Sequence, residues 1–279
     1  MQNRVFGGTG REVAVVGQGT WHIDHGDWDL AREALRRGLD AGMTHIDTAE
    51  MYGDAEELLA DVIAGRRDEI FLVSKVVPSN ASRRGVRAAC ERSLERLGTD
   101  RLDCYLLHWP GSHPLAETVA GFEDLLREGK ILSWGVSNFD VDDLEAIAPL
   151  AGEKGLVCNQ VLYHLQERAI EHAVLPWCAE HGVAVVGYSP FGHDSFPAQN
   201  SAGGRVLAEI AAAHGGTPRQ VALAFLTRQA PLFTIPKAGR PAHAVDNAAA
   251  GDLALAPEEI ARLDAAFPRG RKPRSLPML

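Results

Sequence analysis

Four residues of this 279-residue chain stand where reactive groups would be useful. Asp47 closes the short run Thr44-His45-Ile46-Asp47, Lys75 closes Phe71-Leu72-Val73-Ser74-Lys75, and His108 closes Tyr105-Leu106-Leu107-His108. Tyr52 lies five residues beyond Asp47. An ammonium beside a phenol favours the phenolate and lowers the phenol's pKa from its ordinary value of about 10, which makes it a better acid. Asp47 can hold and partly compensate Lys75, leaving Tyr52 to protonate a carbonyl oxygen. His108 would hydrogen-bond the same oxygen, orienting the carbonyl and stabilising developing charge. Taken singly, Asp47 or Tyr52 reads better as a helix cap or a wall residue. Their grouping at three consecutive strand ends favours chemistry.

Such a set needs a scaffold that brings several strand ends to one mouth. Short apolar runs alternate here with longer amphipathic segments, the pattern of alternating strands and helices. Strands are predicted over 15–20, 44–48, 70–75, 104–108, 131–136, 156–160, 183–188 and 232–236. Eight runs predict a closed parallel (β/α)₈ barrel, preceded by a β-hairpin within 3–15, around Gly7 to Gly10. The alternative, a doubly wound open sheet, calls for a glycine-rich phosphate turn after the first strand. Gly17-Gln18-Gly19-Thr20-Trp21-His22 lacks the third glycine of that fingerprint.

The first helix would place Leu30, Ala34, Leu35 and Leu39 on its apolar face and Glu33, Arg36, Arg37 and Asp40 on its polar one. Asp27 or Asp29 would cap it, and it would end near Gly42. Further helices are predicted over 82–97, ahead of Gly98, and over 115–127, closed by Gly129. Residues 192–204, rich in Gly, Ala and Ser, read as a lid over a ligand or as an ordinary surface loop.

No composition break marks a linker, so residues 1–279 are predicted to form one domain with a short tail over 268–279. The 37 acidic residues exceed the 28 Lys and Arg, and a formal charge of −9 argues against nonspecific attraction to nucleic acid or an anionic membrane surface. No signal-like run opens the chain, and no stretch supplies the roughly 20 apolar residues of a membrane span. A cytoplasmic protein is expected. Cys90, Cys104, Cys158 and Cys178 are too dispersed for a disulfide framework. His22 and His25 sit among Asp24 and Asp27, but outside any recognisable ligand motif, and no metal is expected.

The stretch Gly42-Met43-Thr44-His45-Ile46-Asp47-Thr48-Ala49-Glu50-Met51-Tyr52-Gly53, followed by strand-ending Lys75 and His108, resembles the aldo-keto reductase family. The resemblance runs over essentially the whole chain. It implies a (β/α)₈ barrel, a catalytic tetrad of Tyr52, Asp47, Lys75 and His108, and hydride transfer from a nicotinamide cofactor to aldehydes or ketones. Ser137, Asn138 and Gln160 match residues that hold the nicotinamide carboxamide, and Tyr188 matches the aromatic that stacks on the ring. Ser189, Pro190, Phe191 and Gly192 begin the loop over the pyrophosphate, with Thr20 and Asp47 in the same cofactor set. Lys237 matches the residue that meets the adenosine phosphate, and Asn247 one that recognises adenine. Ala238 stands where Ser or Thr is usual and His243 where arginine is usual, with Arg240 as a substitute charge. NADPH is therefore the expected cofactor, with NADH less preferred.

The rim candidates are Trp21, Met51, Val77 and Trp109, which beside Tyr52 and His108 suit an aldehyde with a modest apolar body. The short tail would enclose little. The segments Gly17-Gln18-Gly19-Thr20-Trp21, Asn159-Gln160-Val161-Leu162-Tyr163-His164 and Ile235-Pro236-Lys237-Ala238 resemble a bacterial branch that includes methylglyoxal reductases. Small 2-oxoaldehydes and general aldehydes are thus the expected substrates. Sugars, keto acids or ketones are the enzymatic alternative, and a cofactor-binding regulatory subunit is the alternative of a different class. A monomer is the expected state, a dimer the alternative.

Overall fold

The computed structural model describes residues 1–152, 155–193 and 195–279. An antiparallel hairpin of β1 (Asn3–Val5) and β2 (Glu12–Ala14) pairs Asn3 with Ala14 and Val5 with Glu12. The chain then alternates. β3 (Gln18–Gly19) leads to α1 (Trp28–Asp40), β4 (His45–Asp47) to α2 (Ala55–Ile63), and β5 (Phe71–Val76) to α3 (Arg83–Leu97). β6 (Cys104–Leu107) leads to α4 (Leu115–Arg127), β7 (Trp134–Ser137) to α5 (Val141–Ile147), and β8 (Cys158–Leu162) to α6 (Val174–Glu180). β9 (Ala184–Tyr188) is followed by α7 (Ala202–Ala213) and α8 (Pro218–Leu226), and β10 (Leu232–Thr234) by α9 (Pro241–Ala249) and α10 (Pro257–Ala266).

Strands β3 to β10 form one parallel sheet in sequence order. Its two edges meet: Val16 bridges Thr234, the Gly17 amide donates to the Thr234 carbonyl at 2.8 Å, and the Thr234 amide to the Val15 carbonyl at 2.9 Å. The cylinder is thereby closed, as the eight apolar runs predict. Phe6, fully buried in the hairpin, plugs the end where the strands begin, with ring centroids 4.7 Å from Phe71, 5.0 Å from Phe233 and 5.8 Å from His45. The opposite end, where the strands finish, is left to the site.

Local chemistry accounts for the helix limits. Asp27 caps α1 by accepting from the amides of Asp29 and Leu30, and Ser82 caps α3 by accepting from Gly85. The buried stripe of α1 is Ala31, Ala34, Leu35, Gly38 and Leu39. Leu30, expected to face inward, is 40% exposed, because Ala31 takes the buried position of that turn. Gly38 is needed for a close approach: a Cβ there would lie 2.0 Å from the Gln18 amide oxygen. That buried amide ties Leu35 and Met43 to β3 through their carbonyls.

Strand limits shift by one to three residues from those expected, and the limits of β7 and of the irregular bridge after β9 bear on the site. β7 starts at Trp134 rather than 131, since Ile131 makes only an isolated bridge to Leu102, and it runs on to Ser137. The irregular bridge ends at Ser201, the cap of α7, so Ala202 to Gly204 are helical; Asp194 within that bridge lies outside the described residues. The 268–279 tail reaches the mouth, where its last two residues, Met278 and Leu279, stand in the cavity wall. Cys90, Cys104, Cys158 and Cys178 are buried free thiols, and no described helix is long and apolar enough to cross a membrane.

Candidate active site

The three strand-end residues converge with Tyr52 below the mouth. Lys75, on β5 and fully buried, donates from Nζ to Asp47 Oδ1 at 2.5 Å and to the Thr48 carbonyl at 2.9 Å. Its third donor direction points at the Tyr52 hydroxyl, 3.4 Å away. Asp47, on β4, accepts from the Gln160 amide through Oδ2 at 2.7 Å, so both carboxylate oxygens are engaged. The carbonyl of Asp47 accepts from Thr20 Oγ1 at 3.0 Å, which joins the end of β3 to the same assembly. His108, just past β6, packs edge-on to Tyr52 with ring centroids 5.6 Å apart.

Burial sets the charge states of this group. For Lys75, burial opposes the charged form, but Asp47 and Tyr52 outweigh it and its pKa stands above the ordinary value. Burial pushes the Asp47 carboxyl up against the pull of Lys75 and Gln160. The Tyr52 phenol also stands above its ordinary value, because burial exceeds the lowering by Lys75, and Asp47 adds to the rise. This corrects the sign expected from the lysine alone: Tyr52 is held as the neutral phenol, while Lys75 limits the cost of making it a phenolate. Burial drives the His108 imidazole down to about 2, with Lys75 adding to the effect, so it is neutral at physiological pH. Its Nδ1 is buried without a hydrogen-bond partner.

Above these groups lies a cavity of about 380 Å³. Thr20, Asp47, Ser137, Asn138, Gln160, Tyr188, Ser189, Pro190, Phe191, Gly192 and Lys237 line it, together with the rim residues Trp21, Met51 and Trp109 and with Tyr52 and His108. Asn138 adopts a left-handed φ of 60° directly after β7, which turns its amide to donate to the His108 carbonyl at 3.1 Å. Its amide oxygen accepts from the Tyr188 hydroxyl at 2.9 Å. Ser189, with φ 51°, makes the matching turn after β9. Clustered amides, a hydroxyl and one half-exposed aromatic ring, with an orphaned imidazole nitrogen close by, fit a flat amide-bearing ring such as nicotinamide.

Five expected residues lie outside this wall. The Val77 amide is tied to Glu50 at 2.8 Å, in a loop that Glu50 also holds through Asn80. Ala238, Arg240 and His243 belong to the turn after β10 and the start of α9, and Asn247 is buried on that helix. Conversely, Gly19, His22, His193, Ile235, Met278 and Leu279 line the cavity without having been singled out for it. Ile235 was legible as a strand-end neighbour of Lys237. Gly19 ends β3 and has no side chain to single it out, and the rest come from loops and the tail, where residue periodicity carries no signal.

Residues 15–267 match the aldo/keto reductase family. The chain is 43% identical over 271 residues to the methylglyoxal reductase YeaE of Escherichia coli, covering 96% of this chain and 95% of that protein. It is 32% identical to the glyoxal reductase of Bacillus subtilis, over 92% of this chain and 90% of that one. Among solved structures, an aldo-keto reductase from Klebsiella pneumoniae in complex with NADPH superposes with a TM-score of 0.92 at 44% identity, covering 100% of both chains. A second, an aldo/keto reductase from the same organism with NADP and acetate, gives 0.93 at 42% identity, again over 100% of both chains. Sequence, barrel and site geometry agree: this chain belongs to the aldo/keto reductase family.

Proposed function

We propose that the chain is an NADPH-dependent reductase of aldehydes and small 2-oxoaldehydes, with Tyr52 as the proton donor. The observation that carries this is the 3.4 Å approach of the buried Lys75 ammonium to the Tyr52 hydroxyl at the cavity floor. The 43% identity to a methylglyoxal reductase supports the substrate class. Bound nicotinamide supplies the hydride. Ser137, Asn138, Gln160 and Tyr188 would hold that ring, and Lys237 would meet the adenosine phosphate. A substrate carbonyl oxygen accepts hydrogen bonds from the Tyr52 hydroxyl and the neutral His108 imidazole, which orient it and stabilise the charge it gains. The proton then leaves Tyr52 Oη for that oxygen, and the phenolate left behind faces Lys75.

Trp21, Met51, Trp109, Met278 and Leu279 surround this position with apolar surface, which favours small uncharged carbonyl compounds over keto acids and sugars. The same reading includes a cytoplasmic monomer, and light scattering on the purified protein tests the oligomeric part. The activity is tested by NADPH oxidation with methylglyoxal, simple aldehydes, keto acids, ketones and sugars. Methylglyoxal and aldehydes should give the highest kcat/KM. Tight NADPH binding with negligible turnover of every carbonyl would instead identify a binding subunit.

A further inference from the structure

Tyr52 sits in the link between β4 and α2, and two glutamates bracket it in sequence. Glu50, two residues before it, accepts from the Val77 amide at 2.8 Å and the Asn80 side-chain amide at 3.0 Å, and pairs with Arg92 at 3.4 Å. Glu56, four residues after it on the first turn of α2, has both carboxylate oxygens engaged. Oε1 accepts from the Ser74 hydroxyl at 2.6 Å, and Oε2 accepts from two nitrogens of the Arg96 guanidinium at 2.8 and 2.5 Å. Glu56 is 1% exposed, and Ser74 is fully buried. Arg92 and Arg96 stand one turn apart on the same face of α3, so a single helix holds both glutamates. Their other partners flank Lys75 in sequence, Ser74 immediately before it and Val77 and Asn80 after it. Side chains alternate along a strand, so Ser74 faces the helices while Lys75 points into the barrel. Backbone bonds complete the link, from the Glu50 amide to the Lys75 carbonyl at 3.2 Å and from the Ala55 amide to the Tyr52 carbonyl at 3.1 Å.

We infer that Glu56, through Ser74 and Arg96, is a positioning residue for proton transfer: it fixes how closely Tyr52 approaches Lys75, with Glu50 as the second anchor of the same link. The inference rests on the reading of Tyr52 as the proton donor and adds what holds that donor in place. The 3.4 Å between Lys75 Nζ and the Tyr52 hydroxyl is at the outer limit of a hydrogen bond. An outward shift of the link by about 1 Å therefore breaks it, and with it the stabilisation of the phenolate that forms as the proton leaves. A buried ion pair adds little to stability that apolar packing would not. What Glu56 supplies is direction. Its three hydrogen bonds converge from β5 and α3 and set the first turn of α2 at one height against the strand that carries Lys75. Glu56, Ser74 and Arg96 all lie outside the cavity wall, so their effect on the chemistry passes through Tyr52 and not through contacts to cofactor or substrate.

The test is single-turnover reduction of methylglyoxal by NADPH, with NADPH affinity measured alongside, in Glu56→Ala, Glu56→Gln and Ser74→Ala, each alone and combined with Tyr52→Phe. Glu56→Ala should slow carbonyl reduction about 10-fold or more and leave NADPH affinity within about 2-fold of the parent. Glu56→Gln, which keeps an oxygen for the Ser74 hydroxyl, should recover part of that rate. Ser74→Ala removes one hydroxyl and leaves the pair of Glu56 with Arg96; it should lose about 3-fold or more, and it carries the test if Glu56→Ala does not fold. In the Tyr52→Phe background, Glu56→Ala and Ser74→Ala should each change the remaining rate by less than about 2-fold, because the approach they disturb no longer carries a proton. Equal losses in both backgrounds, a loss matched by weakened NADPH binding, or parental rates in the single variants would overturn the positioning role and leave Tyr52 as the donor. Tyr52→Phe reducing methylglyoxal at close to the parental rate would overturn the donor reading and this inference with it.

Discussion

The ammonium of Lys75 lies 3.4 Å from the hydroxyl of Tyr52 and has no exposure to solvent. Its charge is therefore answered only by its neighbours, chiefly Asp47 at 2.5 Å. Removing one member of a buried pair leaves an uncompensated charge, at a cost of about 3–5 kcal/mol. Asp47→Asn should accordingly lower stability by that order in urea unfolding and also reduce turnover. Lys75→Met should cut kcat by about 10²-fold or more, since nothing else stabilises the phenolate of Tyr52. Asp47→Asn with parental stability would show that the pair is not charged.

Tyr188 offers two separable functions, a flat ring at the cavity wall and a hydroxyl bonded to Asn138 at 2.9 Å and to the Leu279 amide at 3.3 Å. Tyr188→Ala should weaken NADPH binding about 10-fold or more and slow hydride transfer, because stacking and orientation are lost together. Tyr188→Phe should keep most of both. Stopped-flow fluorescence of NADPH binding, followed by single-turnover reduction, separates the two variants.

Lys237 is exposed at the cavity wall, whereas Arg240 and His243 lie outside it. The preference for NADPH over NADH, as a ratio of kcat/KM, should therefore fall about 10-fold in Lys237→Ala, or about 1.4 kcal/mol of discrimination, and less in Arg240→Ala. Steady-state kinetics with both cofactors and methylglyoxal measures the ratios.

Two buried histidines make the fold sensitive to acid. Burial, with Lys75 adding to it, pushes His45 down to about 3 and His108 down to about 2, and both nitrogens of His45 lack partners. Above an unfolded-state pKa of about 6.5 neither residue contributes; below it the unfolded chain takes up protons that the native state refuses, so stability falls with falling pH. Each histidine adds a slope of about 1.4 kcal/mol per pH unit, down to its depressed folded-state pKa. Urea unfolding between about pH 6 and pH 4.5 should show a shallower acid loss in His45→Gln and His108→Gln than in the parent, by about one proton each.

The strands and the reactive set were legible because a barrel strand is a short apolar run and a polar residue at its end is conspicuous, as at Asp47, Lys75 and His108. Leu30 was misplaced because it is the more apolar of two neighbours, whereas the helix turn puts Ala31 in the buried stripe and Leu30 at its border. The sign at Tyr52 was missed for a different reason: a neighbouring lysine is visible in a sequence, but the depth of burial that outweighs it is not. Met278 and Leu279 reach the cavity through an irregular tail, and His22 and His193 meet Trp21 from loops more than 170 residues apart in sequence. Such contacts follow from the closed barrel, which brings the ends of β3 and β9 to one mouth.

Single-turnover reduction of methylglyoxal by NADPH in Tyr52→Phe tests the central claim most directly. The substitution removes one hydroxyl from a side chain whose ring packs against His108 and leaves the wall residues Ser137, Asn138, Gln160 and Tyr188 in place. NADPH affinity should stay within about 2-fold of the parent, while the rate of carbonyl reduction falls at least about 10²-fold through loss of the proton donor. A variant that binds NADPH normally and reduces methylglyoxal at close to the parental single-turnover rate would contradict the assignment of Tyr52 as the acid.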